Sequence, residues 1–143
     1  MNAASPKEVI QVGPIEIRFI LEGRETGGVL ALFETVVPPA VRVPAPHRHM
    51  TYDETIYGLA GTCTFNVEGS DISLMPGQAL FIPRGAVHQF VNRGIDTARF
   101  LVTVTPGVLK SEFFREVGAV LAGGPPDLKR IAEIMQRHGL QAA

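Results

Sequence analysis

The chain has 143 residues, 45% of them hydrophobic, with 13 Lys and Arg against 14 Asp and Glu and a formal charge of −1. That length fits a single domain over 1–143 with a core buried without disulfides, and the even charge balance, with no basic run, argues against a nucleic-acid partner. The opening Met1 to Glu8 has neither the basic start nor the apolar segment of a secretory signal, and no stretch is apolar for long enough to cross a bilayer, so the expected compartment is the cytoplasm, with no membrane partner. Cys63, the one cysteine, sits in the strand-like run Gly61-Thr62-Cys63-Thr64-Phe65 and reads as a small buried hydrophobe.

The first residues read as a loose or swapped arm, with regular structure from about Val9. Ile15 to Leu21 alternates apolar and polar before turning wholly apolar, a strand with one face partly wet. A turn follows over Glu22 to Gly28, then a second aliphatic strand from Val29 to Val37. Pro38 to Pro46 carries four prolines, Pro38, Pro39, Pro44 and Pro46, and cannot lie inside a sheet. It reads as an extended lead-in to His47. Short strands are expected over Glu54–Leu59, Thr62–Val67, Asp71–Leu74, Ala79–Ile82, His88–Asn92 and Ala98–Thr105, separated by Gly and Pro turns. Many short strands with regular turns indicate an all-β sandwich or barrel, here over about 9–105.

The period changes after Pro106-Gly107. Leu109, Phe113, Val117, Val120 and Leu121 fall at helical spacing. A second helix is capped by Asp127, carries Leu128, Ile131, Ile134 and Met135 on one face, and ends at Gly139. Both helices, over about 107–139, are expected to pack on the outside of the β domain. Phe65, Phe81, Phe90 and Phe100, with Ile56, Met75 and Val102, are expected to fill the interior. Phe90 has the best claim among them to touch a ligand, since it shares the face of His88.

The chemistry concentrates in two stretches. In a strand, H-x-H spacing puts His47 and His49 on one face and turns Arg48 away. Glu54 can return on the next pass, and His88 can supply a fourth donor from far along the chain. Three imidazoles and a carboxylate suit a divalent transition metal better than magnesium or calcium. Glu54 reads first as a ligand and second as a base acting when substrate binds. Tyr52, Tyr57, Arg42 and Arg48 are candidates for the rim of such a site, and His138, near a helix end, has no catalytic role.

These residues resemble both motifs of the cupin superfamily. The first, G-x5-H-x-H-x4-E-x6-G, appears as His47, His49, Glu54 and Gly61, with Val41 in place of its leading Gly. The second, G-x5-P-x-G-x2-H-x3-N, is complete as Gly77, Pro83, Gly85, His88 and Asn92. Thr26-Gly27-Gly28, Glu34, Pro38-Pro39, Asp53-Glu54 and the tail from Phe113 to Gly139 are similar to the quercetin-dioxygenase-like single-domain cupins. The resemblance implies an all-β fold, a jelly-roll β-barrel with two C-terminal α-helices. It also implies that His47, His49, Glu54 and His88 bind one metal ion (Mn, Fe, Co, Ni, Cu or Zn), and that the chain forms a homodimer through its N-terminal strand. The expected function is a metal-dependent dioxygenase acting on an aromatic, flavonol-like or diketone-like small molecule. The alternatives are a metal-dependent isomerase or lyase, and a small-molecule-binding module without turnover.

Overall fold

Strict alternation of burial builds the protein. Along β10 (Ala98–Thr105), Ala98, Phe100, Val102 and Val104 are buried while the residues between them are partly exposed, so one side of the strand faces an apolar interior. The computed structural model describes residues 2–43 and 45–143; Met1 of the expected arm and Pro44 of the expected lead-in lie outside the described residues.

The remaining elements are β1 (Glu8–Val12), β2 (Ile15–Leu21), β3 (Ala31–Val37), β4 (His47–His49), β5 (Asp53–Ala60), β6 (Cys63–Val67), β7 (Ser70–Leu74), β8 (Ala79–Ile82), β9 (His88–Val91), α1 (Ser111–Ala122), α2 (Leu128–Arg137) and β11 (Leu140–Ala142). They form two antiparallel sheets with strand orders β1-β2-β3-β10-β5-β8 and β11-β4-β9-β6-β7, the sandwich of a jelly roll. The outer edges of β1 and β8 take no strand among the described residues. No helix is long and apolar enough to cross a membrane.

Between the sheets, Phe65, Phe90 and Phe100 pack with ring centroids 5.2–5.5 Å apart, and Phe19 and Phe33 stack at 5.2 Å. Phe81 and Met75, expected inside, are 58% and 49% exposed. Strand parity explains Phe81: on β8, Leu80 pairs with the buried Ile56 and so takes the inner side, which turns Phe81, opposite exposed Thr55, outward. Cys63 is buried as expected, and burial pushes its thiol up to about 12.

The helices do more than coat the outside. Helix α1 lies on β1, close enough that a Cβ at Gly118 would meet the Gln11 carbonyl oxygen at 2.3 Å. Helix α2 begins at Asp127, whose carboxylate accepts from the Arg130 N–H at 3.1 Å, and is tied to α1 by Arg137 and His138, both on Glu116. From Gly139 the chain continues into β11, a strand the sequence pattern does not announce. Leu140 pairs with His49 and Ala142 with His47.

The lead-in before β4 is anchored at one buried residue. Asn92 is fully buried; its Nδ2 donates to the Val37 and Asp96 carbonyls at 2.9 and 2.8 Å, and its Oδ1 accepts from the Gly94 N–H at 2.9 Å. Its backbone carbonyl accepts from the Ala40 N–H, and its own N–H donates to the Val41 carbonyl. At the position where the motif carries glycine, Val41 packs against the core; the left-handed backbone, φ 65°, falls on Ala40. Asn92→Ala removes three side-chain hydrogen bonds and strands the buried Val37 carbonyl, a loss of about 3 kcal/mol in urea unfolding. A loss under about 1 kcal/mol would show that these side-chain bonds contribute little to the fold.

Candidate metal centre

His47 and His49 point to the same side of β4, and pairing of His47 with His88 on β9 brings the third imidazole beside them. The ring centroids lie 4.5–5.2 Å apart, and one nitrogen from each ring falls within 4.8 Å of the other two, close enough to hold one metal ion. The backbone sets the orientation of two rings. Nδ1 of His47 stands 3.2 Å from the Ala45 carbonyl and Nδ1 of His88 stands 2.9 Å from the Ala86 carbonyl. Those pairings need Nδ1–H, which leaves the Nε2 lone pairs free for a metal.

Glu54 comes from the opposite sheet. Its Oε2 lies 3.1 Å from Nε2 of His88 and 3.6 Å from Nε2 of His49, and its side chain is only 12% exposed. Although it lies close to Glu54, the buried Nε2 of His88 has no hydrogen-bond partner among the described residues. An orphaned imidazole nitrogen, two further imidazoles and a carboxylate form a donor set that fits a divalent transition metal. The two motifs are also joined around the site. The Arg84 backbone N–H and guanidinium both donate to Asp53, at 2.8 and 3.1 Å, and the Gly85 N–H donates to the His49 carbonyl at 2.7 Å.

The cluster stands in a cavity of about 320 Å³. Its walls are overwhelmingly apolar. Ile15, Ile17, Phe33, Ile56, Phe100 and Val102 come from one sheet, and Phe65, Phe90, Leu140 and Ala142 from the other. Phe113, Phe114 and Val117 of α1 and Leu128, Ile131, Ala132 and Met135 of α2 also line it, so the expected outer helices form part of its wall.

The rim candidates separate. Tyr52 is not at a rim but fully buried, its ring stacked on His49 at 4.3 Å and 17°. Burial, with the Glu54 charge nearby, raises its phenol well above the usual range. Tyr57 is 45% exposed on the outer face, and Arg42 is exposed. His138 pairs with Glu116 at 3.0 Å, away from the cluster. Sequence reading missed the contributions of α1, α2 and β11; the apolar faces of the helices were visible, but what they covered was not.

A family model described as "Cupin domain" matches residues 33–104. The quercetin 2,3-dioxygenase of Bacillus subtilis (strain 168) is 28% identical over 103 residues, 71% of this chain and 29% of that protein. The tetracenomycin polyketide synthase protein TcmJ of Streptomyces glaucescens is 33% identical over 60 residues, 42% of this chain and 40% of that protein. The chain therefore spans less than half the length of these curated relatives. Among solved structures, the polyketide cyclase RemF from Streptomyces resistomycificus superposes with a TM-score of 0.58 at 30% identity, covering 71% of this chain and 72% of that one.

Without a metal, the cluster has an acid limit. Burial holds His47 and His49 down to about 4, against an ordinary 6.5. For Glu54 burial acts upward, but the three imidazoles outweigh it and hold the carboxyl down to about 2. His88 differs: burial lowers it, yet the Glu54 carboxylate brings it above its usual value. Between pH 6.5 and 4 the unfolded chain takes up protons at His47 and His49 that the folded chain refuses, so these groups favour folding above that window and the advantage is lost as pH falls through it. Glu54 extends the loss below 4.5. His88 has the opposite sign: its contribution is present at low pH and is lost as pH rises through its folded value. Chelator-treated protein is expected to show a Tm that falls from pH 6.5 to 4, with a shallower fall in His49→Gln; a flat Tm in the native chain across that range would refute this balance.

Proposed function

This chain belongs to the cupin family, and from that premise we propose that it is a metal-dependent dioxygenase acting on an oxygen-bearing aromatic or diketone-like small molecule. The observation that carries the reading is the placement of three imidazoles and one carboxylate in a largely apolar cavity. At about 320 Å³, that cavity sits at the small end of the roughly 300–1,000 Å³ range of small-molecule sites. The similarity to a quercetin 2,3-dioxygenase supports the same substrate chemistry.

His47, His49 and His88 would hold the ion, with Glu54 as fourth ligand. A divalent transition metal bound there supplies a Lewis acid for a substrate oxygen and, where it is redox-active, access to dioxygen chemistry. The chain's own residues do the rest. Phe65, Phe90 and Phe100 offer aromatic surface to a planar substrate, and the helices exclude water from the reacting centre. Glu54, the one carboxylate among the lining residues, would be the group to take the proton that an enol or phenol gives up on binding.

A second reading rests on a separate observation, the 30% identity to a polyketide cyclase. It keeps the site and the substrate class but makes the reaction a non-oxidative rearrangement, of the isomerase or lyase kind, in which the ion polarises a carbonyl.

Metal analysis of untagged protein, purified without chelator after growth on mixed first-row metals, is expected to find near-stoichiometric metal that is lost in His47→Ala/His88→Ala. Loaded with a redox-active metal, the protein is expected to consume oxygen with a flavonol or a β-diketone. Turnover that persists without oxygen and with zinc would replace the dioxygenase reading by the non-oxidative one. Binding without any turnover would make the protein a small-molecule-binding module.

A further inference from the structure

Three buried side-chain atoms among the described residues lack a hydrogen-bond partner: Nε of Arg48, Nε2 of His88 and the hydroxyl of Tyr52. Nε2 of His88 belongs to the histidine cluster, and Arg48 alternates with the two cluster histidines of β4, off their face. Tyr52 has no such account. It is 0% exposed, its ring lies flat on His49, and it lines the same cavity as Glu54 and the three histidines.

A buried phenol O–H normally finds a partner, and leaving one unmade costs the full desolvation of the group. Phenylalanine would stack on His49 and fill the same space without that loss. The surroundings also narrow the missing partner. Apart from the three histidines and Glu54, only Thr35 and Tyr52 are polar among the lining residues. Glu54 is an acceptor, and the imidazole nitrogens left free by Nδ1–H pairing are acceptors too. Tyr52 therefore brings an O–H donor to a cluster dominated by acceptors.

We propose that the Tyr52 hydroxyl is a recognition group that donates a hydrogen bond to an oxygen of the molecule bound in this cavity. Its partner is a phenolate, enolate or carbonyl oxygen placed beside the histidine cluster. Tyr52 thereby selects oxygen-bearing ring systems over hydrocarbons of the same shape, as a buried donor left unpaired penalises any occupant that lacks the acceptor. The inference rests on the reading of the cavity as a small-molecule site, but not on the reaction being an oxygenation.

The test compares the full-length, metal-loaded native chain with Tyr52→Phe, without oxygen so that nothing turns over. Binding of 3-hydroxyflavone and of anthracene, an oxygen-free three-ring probe, is followed by the fluorescence of each. The expected result has four parts: 3-hydroxyflavone bound at least about tenfold more weakly by Tyr52→Phe, equal anthracene affinity in both proteins, equal metal content, and a ligand-free Tm in the variant equal to or above that of the native chain. Equal 3-hydroxyflavone affinity would overturn the proposal, as would failure of the native chain to bind it. A lower ligand-free Tm in Tyr52→Phe would also overturn it, by showing that the hydroxyl has its partner within the fold. Oxygen uptake is a separate readout, so a hydroxyl-dependent affinity with no uptake removes the dioxygenase reading and leaves this one standing.

Discussion

The interaction on which the architecture depends is the meeting of a buried carboxylate with three imidazoles across the gap between two sheets. An ionised carboxylate removed from water is costly unless compensated. Among the described residues Glu54 finds its compensation in the opposite sheet, from His88 at 3.1 Å and His49 at 3.6 Å. That requirement fixes the parity of β4, β5 and β9 together, because a slip by one residue in any of them would turn a donor away from the others. The turn carrying Arg84 and Gly85 reinforces the same alignment by bonding to Asp53 and to the His49 carbonyl.

Because the donors stand on two separate sheets, any ion they hold is also a cross-link between the two layers. Binding and rigidity are therefore coupled. Asn92 holds the lead-in that delivers His47, and α2 with β11 holds the outer edge of β4. The positions of the histidines thus depend on segments well separated in sequence, and the centre is a property of the whole fold rather than of its motifs alone.

Much of this was legible because period-two alternation is strong here. The strands at Ile15–Leu21, Ala79–Ile82 and Ala98–Thr105 lie where their patterns place them, and Asp127 caps α2 as its position before an apolar run implies. H-x-H spacing placed the two histidines on one face without any knowledge of the partner strands. What escaped detection depends on tertiary context. Phe81 is apolar and sits in a strand, but its direction is set by the parity of Leu80 against Ile56 on the neighbouring strand. Tyr52 precedes β5 in a loop, where alternation gives no direction, and only the packing against His49 draws it inside. Strand β11 is three residues long and forms only because α2 ends beside β4, and the helical faces gave no hint that they would close a cavity rather than cover a sheet.

The matched segment 33–104 contains His47, His49, Glu54, His88 and Tyr52, whereas Ile15 and Ile17 of β2, the faces of α1 and α2, and the β11 residues Leu140 and Ala142 fall outside it. Reactive groups and much of the enclosing wall are thus encoded in separable parts of the chain. Drift in the flanking segments can remould the space offered to a guest while the donor atoms keep their places. On this scaffold, the shape of the cavity can change while its donor set stays the same.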